Sequence, residues 1–477
     1  MSRKFLPTAD TRRRDVWSSI NNMIPTEKGS YQTPNCFSAT AATVATPGTT
    51  LAAWVGQTAA GTAVMYCGTT LKLYTFTAAA SFTDRSRGGG YTNTATKWRF
   101  EQFGNMTLAT NGVDPIQVRD ASGGGAFADL GGSPPTTAKI LVVQSNAVLA
   151  FNLNSGGNYW AASDVGDHAN WTTGEAVAAT PIIQRPGPIT AAVPFQGGVL
   201  VFKESSIYRM QYVGSPIYWT VELIADGLGT TTQEQVVVCG DQVFFMGPWG
   251  AHTFDGATFR NIGEGVFTSG RTAAKASVYW PFSNSVWVQE ATNSVYVYNF
   301  ASDAWGSFGM LKSDGTGTTA LSAHYLLTGS PASINAVGSS ITDANALAVD
   351  VASTTNTVMR GNTQFSGSGA SAYVQTGFEG LGPNVDTLFS RVQPLVVDLI
   401  NGPVVTTQPG ATAFTLAGLP VNTPESFGSE TISATSNHAT YRMDFQATAK
   451  YARFKITSSA TFAIDDVVIT MAPAGNT

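Results

Sequence analysis

Short runs of apolar residues recur along the chain at nearly even spacing. Six of them, 42 to 51 residues apart, begin at Val64, Met106, Val148, Val199, Val243 and Val286. Each run reads as a strand that turns on Gly, Asn or Ser and returns as a second strand, as in AVMYCGTTLKLYTF and SVWVQEATNSVYVYN. A period of about 40–45 residues fits four strands of about six residues with their turns, which is one propeller blade. The pattern therefore predicts an all-β protein, a β-propeller of six to eight blades, with almost no helix.

Three regions follow from this rhythm. Residues 1–50 are predicted to form an irregular N-terminal segment, because prolines and glycines break any helix there. Residues 51–370 hold the propeller blades, and the Ser/Thr/Gly-rich stretch 311–370 offers a weak seventh blade with SAHYLLTGS as one strand. Residues 371–477 return to alternating strands and predict an additional C-terminal antiparallel β region, either a small sandwich or the closing blade.

Turn and tryptophan positions agree with blades. Steps such as Asn111-Gly112 and Asp255-Gly256 supply the positive φ that tight hairpins need. Eight tryptophans near the outer strands are predicted to pack between blades rather than to serve as sugar-stacking platforms. They are Trp98, Trp160, Trp171, Trp219, Trp249, Trp280, Trp287 and Trp305.

Three segments are candidates for contacts with other molecules. The inserts 84–97 and 122–137 are loops by composition, and long loops on a rigid scaffold commonly make contacts. Arg12, Arg13 and Arg14 repel one another, so we expect a solvated basic arm or one paired with a neighbour's acids or phosphates.

The composition of the chain limits the classes of molecule that it is expected to bind. Charged residues make up 12% of the 477, about half of the usual share, which fits a surface covered by other subunits or a Thr-rich β protein. A net charge of −5 argues against clamping nucleic acid, but a weakly negative wall suits its passage. Cys36, Cys67 and Cys239 lie at long spacings, which favours a reduced cytoplasmic chain. We expect no signal peptide and no membrane insertion.

Catalytic patterns are sparse. The histidines are isolated, and no HExxH, GxSxG or Walker A sequence occurs. A propeller glycosidase or sialidase is the enzymatic rival, because ASDVGDHANWT (162–172) faintly resembles an Asp-box. The arginines for such a site are scattered, and Asp465 and Asp466 point to opposite faces of a predicted strand. The residues therefore predict no catalytic, cofactor-binding or metal-binding site and no cofactor. The histidines are His168, His252, His324 and His438, and the arginines are Arg99, Arg119, Arg185, Arg209, Arg260 and Arg271.

Several segments, taken in order, resemble one family. They are NNMIPTEKGSYQTPNCFSA (21–39), WRFEQFGNMTLATNGVDPIQV (98–118), YWAASDVGDHANWT (159–172), GDQVFFMGPWGAHTFDGATFRNIGEGV (240–266) and SVYWPFSNSVWVQEATNSVYVYNFASDAWGSF (277–308), followed by the landmarks TGFEGLGPN (376–384) and KYARFKI (450–456). Together they resemble the tail nozzle proteins of short-tailed bacteriophages, the packaged-DNA stabilisation or tail tubular protein B-like family. The C-terminal third matches at the two landmarks.

The resemblance implies a structural virion protein and not an enzyme. Six copies are expected to form a ring, a homohexamer, below the head-to-tail adaptor in the virion tail, after assembly in the host bacterial cytoplasm. The ring extends the channel for ejection of the genomic double-stranded DNA without binding it specifically, helps to retain the packaged genome, and anchors tail fibres or spikes. From the residues alone, a glycosidase or sialidase-like propeller and a monomeric receptor-binding propeller stay open as alternatives.

Overall fold

The fold was analysed in a computed structural model. It describes residues 4–6, 16–34, 36–39, 44–45, 48–76, 82–247, 250–267, 276–290, 294–309, 311–313, 318–320, 324–326, 328–329, 347–352, 355–363, 372–377, 379, 381, 387–399, 410–411, 443–449, 452–458 and 462–474. The elements of these residues are strands and two 3-10 turns, Gln233–Gln235 and Pro281–Ser283. Arg12, Arg13 and Arg14 lie outside the described residues. The predicted all-β class is confirmed.

The N-terminal segment contributes six short strands. They are β1 (Lys4–Phe5), β2 (Val16–Asn21), β3 (Ile24–Pro25), β4 (Tyr31–Gln32), β5 (Cys36–Ala39) and β6 (Val44–Ala45). The partners of these strands come from blade 7 and from the C-terminal region, except that β1 also pairs with β2 and β3 with β4. The beginning of the chain is therefore built into sheets that its end completes.

Six blades follow, each with a four-stranded antiparallel meander, and in blade 1 a short strand from later in the chain adds a parallel fifth strand. Blade 1 has β7 (Thr50–Gln57), β8 (Ala63–Thr69), β9 (Leu73–Phe76) and β10 (Phe82–Asp84), and blade 2 has β11 (Arg99–Phe103), β12 (Met106–Thr110), β13 (Gln117–Asp120) and β14 (Ala128–Asp129). Blade 3 has β15 (Ala138–Gln144), β16 (Ala147–Leu153), β17 (Gly156–Ala162) and β18 (Val177–Pro181), and blade 4 has β19 (Ala191–Phe195), β20 (Gly198–Phe202), β21 (Ser206–Gly214) and β22 (Tyr218–Asp226). Blade 5 has β23 (Val236–Cys239), β24 (Gln242–Gly247), β25 (Gly250–Phe254) and β26 (Phe259–Asn261), and blade 6 has β27 (Ala276–Trp280), β28 (Ser285–Gln289), β29 (Ser294–Asn299) and β30 (Ala304–Gly309). The six apolar runs of the sequence are the second strands of these blades.

A seventh blade closes the ring. Its strands are β31 (Leu311–Ser313), β32 (Thr318–Ala320), β33 (His324–Leu326), β35 (Leu347–Ala352) and β36 (Thr355–Thr363), whereas β34 (Thr328–Gly329) pairs in parallel with β7 of blade 1. The sheet order β33-β35-β36-β5-β31-β32 places the N-terminal strand β5 beside β36, and β6 also pairs with β36. On one side β33 contacts β27, and on the other side β33 and β34 meet β7.

The first strand of each of blades 1 to 6 lies innermost, and in blade 7 the strand β33 takes this place. Contacts run from β7 to β11, β15, β19, β23, β27 and β33, and from β33 back to β7. Seven sheets of the described residues thus stand around one axis, which agrees with the predicted six to eight blades. The seventh blade differs from the other six in its strand order, because it includes the strand β5 from the N-terminal segment.

The C-terminal region is a sandwich. Its strands are β37 (Ala372–Thr376), β38 (Thr387–Leu399), β39 (Gly410–Ala411), β40 (Met443–Ala449), β41 (Ala452–Arg453), β42 (Lys455–Ser458) and β43 (Phe462–Pro473). One sheet has the order β1-β2-β37-β42 and the other β3-β4-β43-β38-β40, with a small pair of β39 and β41. The rings of Phe389 and Phe454, 5.8 Å apart, join the two faces. Of the two predicted arrangements, the region forms the sandwich.

One apolar core joins the sandwich to the propeller. It contains Phe244 of blade 5, Trp305 of blade 6, the N-terminal Trp17 and Tyr31, and Phe389 of the sandwich. The buried Tyr31 hydroxyl accepts a hydrogen bond from the Phe5 amide (3.0 Å) and donates one to the Trp305 carbonyl (3.0 Å). Burial of large rings on both sides of the N-terminal strands stabilises the junction as a continuous core.

Five of the eight tryptophans are buried in the apolar cores, as the sequence predicts. Trp98, Trp160, Trp171, Trp219 and Trp305 are all 5% exposed or less. Trp280 and Trp287 are half-buried in blade 6, with ring centroids 6.1 Å apart. Trp249 lies outside the described residues.

Candidate functional site

A 3-10 turn lies across the propeller axis at one end. We call this the start end, because the innermost strands begin there. The turn Gln233–Gln235 joins blade 4 to blade 5. The Gln233 side chain accepts a hydrogen bond from the Ala192 amide (2.8 Å) and donates one to the Ala192 carbonyl (3.0 Å). The Gln235 side chain accepts hydrogen bonds from the Thr230 and Thr231 hydroxyls. The turn is therefore fixed to blade 4 and braced by its own loop.

An ion pair extends from this turn across the axis to blade 2. Nη2 of Arg99, the first residue of β11, lies 2.8 Å from Oε1 of Glu234, and both side chains are largely buried, at 21% and 13% exposure. Arg99 also donates a hydrogen bond to the Lys139 carbonyl at the start of blade 3 (2.8 Å). One guanidinium thus ties blades 2, 3 and 5 together, and the start end of the axis is closed.

The electrostatics of the closure favour the charged pair. Burial alone raises the pKa of the Glu234 carboxyl, but the charges of Arg99 and Lys97 outweigh burial and hold this pKa below its ordinary value. Burial lowers the pKa of Lys97. The Glu234 carboxylate therefore stays ionised at neutral pH, and its contact with Arg99 holds the turn across the axis.

The turns of blades 2 to 5 at the opposite end of the ring carry acidic residues. We call this end the hairpin end, because it carries the turns from first to second and from third to fourth strands. In blades 2 to 5 these turns, all described, contain no lysine or arginine. Their carboxylates are Asp164, Asp167, Glu175, Asp241 and Asp255. The charged side chains of these turns in blades 2 to 5 are therefore all acidic.

Some of these carboxylates also shape their turns. Asp255 accepts hydrogen bonds from the amides of Thr258 and Ala257, both 2.8 Å, and these bonds lower the pKa of Asp255 to about 2. Asp164 accepts hydrogen bonds from the Val165 amide (2.9 Å) and the Glu175 amide (2.8 Å). Such Asx arrangements stabilise turns, so these acids have a structural role as well as a charge.

The Asp-box-like loop 162–172 is such a structural turn. Trp171 is 5% exposed in the core, and its Nε1 donates a hydrogen bond to the His168 carbonyl (2.9 Å). The His168 ring packs on Phe103, with centroids 5.4 Å apart. The resemblance to an Asp-box thus corresponds to turn geometry and to an anchored tryptophan.

Of the other histidines, His252 is described with its side chain and lies in a different blade. His252 is buried in blade 5, where its Nδ1 lies 3.2 Å from the Gly250 carbonyl and burial lowers its pKa. His324 lies in a strand of blade 7 whose side chains are not described, and His438 lies outside the described residues. Among the described residues, no His, Cys, Asp and Glu side chains form a group of three that could hold a metal ion.

The candidate arginines each have separate partners. Arg185 pairs with Asp226 at 2.6 Å, Arg260 pairs with Asp303 at 2.6 Å, and Arg209 donates a hydrogen bond to the Gly256 carbonyl. Arg119 is 5% exposed and donates hydrogen bonds to the Gly125 carbonyl (2.8 Å) and the Tyr66 hydroxyl (3.2 Å), and Arg271 lies outside the described residues. The structure does not bring these described arginines together.

The remaining candidates are structural as well. Asp465 is exposed and Asp466 half-buried on β43, where the register shifts beside them. The inserts 84–97 and 122–137 contact each other: the Phe127 amide donates to the Arg85 carbonyl (2.7 Å), and Arg87 pairs with Asp129 (2.6 Å). These loops therefore stabilise the junction of blades 1 and 2.

Sequence reasoning missed the closure of the axis. From the sequence, Arg99 is one of the scattered arginines considered for a sialidase-like site, and Glu234 belongs to no motif. The two residues are 135 positions apart and meet because the ring brings blades 2 and 5 face to face. No local sequence pattern indicates such a pair. It can be recognised only when the arrangement of the blades around the ring is known.

The fold and this closure define a class: a seven-bladed β-propeller, joined to a β-sandwich and closed on its axis at one end. No family model and no curated protein matches the chain. Among solved structures, it is similar to the WD40 domain of Neurospora crassa Pan2, at 10% identity over 69% of this chain and 97% of that chain, with a TM-score of 0.44.

Two further solved structures show similar values. A chain of the Mitotic Checkpoint Complex matches at 10% identity over 67% of this chain and 90% of that chain, with a TM-score of 0.42. The computationally designed Ika8 protein matches at 12% identity over 68% and 99%, with a TM-score of 0.40. The propeller assignment follows from the strand order of this chain.

In the described part of the chain, no helix has the length and apolar character needed to cross a membrane.

Proposed function

We propose that this protein is a non-catalytic wall subunit of a phage tail nozzle. Copies of it form a ring, six in number, below the head-to-tail adaptor, and the genome leaves through the lumen that they surround. The observation that carries the proposal is the closed propeller axis: the Gln233–Gln235 turn and the Arg99–Glu234 pair lie across it. Because the axis of one subunit is blocked, a passage through an assembly has to lie between subunits.

The rigidity of the subunit supports this role. The N-terminal segment is hydrogen-bonded to blade 6, where Met23 and Ser307 exchange two backbone bonds of 3.1 Å. The same segment supplies strands to both sandwich sheets, and one core runs through all three parts. A wall that holds a pressurised genome and carries fibres or spikes needs such resistance to relative movement of its parts.

Charge supports the same role. The net charge is −5, and the hairpin-end turns of blades 2 to 5 carry five carboxylates without a lysine or arginine. Tight nucleic-acid binding requires many cations that displace counterions from phosphates. A negative wall lets DNA slide past without being retained.

Electron microscopy of the virion tail with the protein labelled tests the proposal. We expect a six-fold ring on the tail axis, a lumen between propellers, and weak DNA binding by the purified chain in low salt. A monomeric purified chain agrees with assembly on an adaptor as long as the ring is present in the particle. A position away from the tail axis contradicts the proposal, and so does hydrolysis of bacterial surface polysaccharide.

A further inference from the structure

Two buried hydroxyl groups lie close to the closure of the axis. Among the described residues, Oγ1 of Thr232 and Oγ of Ser277 have no hydrogen-bond partner, although both oxygens are shielded from solvent. The residue Ser277 is 7% exposed. A buried hydroxyl without a partner costs free energy, and an ordered water commonly supplies the missing hydrogen bond in folded proteins.

Thr232 stands directly before the 3-10 turn but does not cap it. A threonine at this position usually accepts a hydrogen bond from an amide of the first turn. Here the Thr232 backbone is extended, with φ −148° and ψ 157°, and its hydroxyl makes no capping bond. The hydroxyls of Thr230 and Thr231 bind the side chain of Gln235. The Thr232 hydroxyl is therefore the one in this series that the loop itself does not use.

Ser277 approaches the turn from blade 6. It is the second residue of β27, and this strand contacts the Gln233–Gln235 turn. Ser277 pairs with Val288 on β28, and residues opposite each other in an antiparallel pair share a face of the sheet. Val288 packs in one core with Phe244 of blade 5. The Ser277 side chain therefore lies on the face of blade 6 that packs on blade 5, beside the turn.

The chemistry of this place favours a neutral ligand. Both hydroxyl groups are uncharged, and the Glu234 carboxylate of the turn is already paired with Arg99 at 2.8 Å. A hydroxyl can both donate and accept a hydrogen bond, and so can water. A water molecule can therefore satisfy the two hydroxyls at the same time, whichever of them donates.

We propose that an ordered water molecule is bound at the start end, between the closure turn and blade 6, with the hydroxyls of Thr232 and Ser277 as its ligands. Gln233 ties the turn to blade 4, and the pair of Arg99 and Glu234 ties it to blade 2. The water adds a link to blade 6. The inference concerns a single subunit, so it goes beyond the proposed function and does not depend on ring formation.

The sign of a change in stability tests the proposal. Thr232→Val and Ser277→Ala are made separately in the full-length chain and unfolded in urea. Each variant leaves the bound water short of a partner, so we expect the ratio of folded to unfolded protein to fall about tenfold. Removal of a hydroxyl that truly has no partner relieves a cost of burial. An unchanged or higher ratio in both variants therefore overturns the proposal.

The double variant Thr232→Val/Ser277→Ala tests whether one water serves both hydroxyls. With a shared water, we expect the double variant to lose about tenfold in this ratio, like either single variant. A loss of about a hundredfold indicates two independent sites and overturns the shared water.

The matched control combines Thr232→Val with Ser163→Ala. Ser163 is a fully buried serine of blade 3 whose hydroxyl accepts a hydrogen bond from the Val148 amide (2.9 Å). These two sites share no partner, so we expect their losses to add.

A crystal structure of the purified chain, at a resolution that shows ordered waters, observes the site directly. We expect one water within hydrogen-bond distance of both hydroxyls, and none there in the double variant. Hydroxyls that bind each other or another protein group overturn the proposal. A six-fold ring in the particle together with that result leaves the proposed function standing.

Discussion

Glu101 is an acidic residue within an inner strand, where its carboxyl group has no cation of the described residues beside it to offset burial. It lies in the middle of β11, between the buried Phe100 and the partly buried Gln102. Its carboxylate accepts a hydrogen bond from the Gln102 amide (3.2 Å), but burial raises its pKa to about 7. In the Arg99–Glu234 pair, by contrast, a cation offsets burial. In the same strand, therefore, the Glu101 carboxyl has a pKa of about 7, and Arg99 pairs with the carboxylate of Glu234.

Glu101→Gln is expected to remove a pH dependence of stability. Between the ordinary pKa of 4.5 and the folded value of about 7, the folded chain holds a proton that the unfolded chain releases. The stability from this proton is complete below pH 4.5 and lost as the pH rises through 7. We expect the variant to unfold in urea with a free energy about 2 kcal/mol higher than the unsubstituted chain at pH 8.

The comparison at pH 4.5 is the control for this variant. There Glu101 is protonated in the folded state, so the amide replaces a neutral group of similar shape and the two proteins should unfold alike. An equal difference at both pH values shows that Glu101 ionises as it does in the unfolded chain, which contradicts the argument.

Strands and turns within a blade could be predicted because their causes are local. The apolar run beginning at Val148 lies in β16, and the run beginning at Val199 lies in β20. The Asp255-Gly256 step forms a turn, with Gly256 at φ 103°. Alternating side chains and positive-φ residues act over a few positions, so the sequence displays them directly.

The pairing of the N-terminal strands could not be predicted. Trp17 in β2 pairs with Thr376, and Phe37 in β5 pairs with Gly361. Two- to six-residue strands among prolines have no alternation to read, and their partners are more than 300 residues away. The closure of the axis could not be predicted for the same reason, because Arg99 and Glu234 belong to different blades.

Gly132→Ala is expected to disrupt the link between blades 2 and 3. A Cβ at this position, which has φ 79°, would lie 1.3 Å from the Ala169 carbonyl oxygen, and backbone atoms cannot move aside cheaply. The Trp171 amide also donates to the Gly132 carbonyl (3.3 Å). We expect a loss of about 3 kcal/mol in the free energy of unfolding.

Gly131→Ala is the matched control for this element. No heavy atom lies within 4 Å of the added methyl group. Urea unfolding of the two variants should therefore differ by most of the loss expected for Gly132→Ala. Equal stabilities would mean that the loop shifts freely, and the tight approach to Ala169 would then have no energetic weight.

At the scale of the whole molecule, the sandwich and the last blades share one apolar core, so we expect them to open as one cooperative unit. The shared core contains Phe389, Tyr31, Trp305 and Phe244, so opening of one part exposes apolar surface of the next. Blades 3 and 4 have a separate core around Leu149. Cooperative units of this kind appear in hydrogen exchange as segments that open together.

Phe389→Ala should therefore destabilise more than the sandwich. Truncation of a fully buried ring costs about 3–5 kcal/mol. In hydrogen exchange we expect faster exchange in β37 and also in β30 of blade 6, with β16 of blade 3 unchanged. Leu149→Ala is the reciprocal variant, expected to act on blades 3 and 4. Faster exchange confined to the sandwich in Phe389→Ala would show that the two parts unfold independently.

The strand that β5 lends to the seventh blade has a consequence for biosynthesis. Residues 36–39 leave the ribosome early, but their partner β36 ends at Thr363. At 5–20 residues per second, β5 waits about 15–60 s for it. Until then the nascent polypeptide is an open arc with unpaired edges. A chain that terminates before β36 lacks the strand that pairs with β5, so it cannot close the seventh blade.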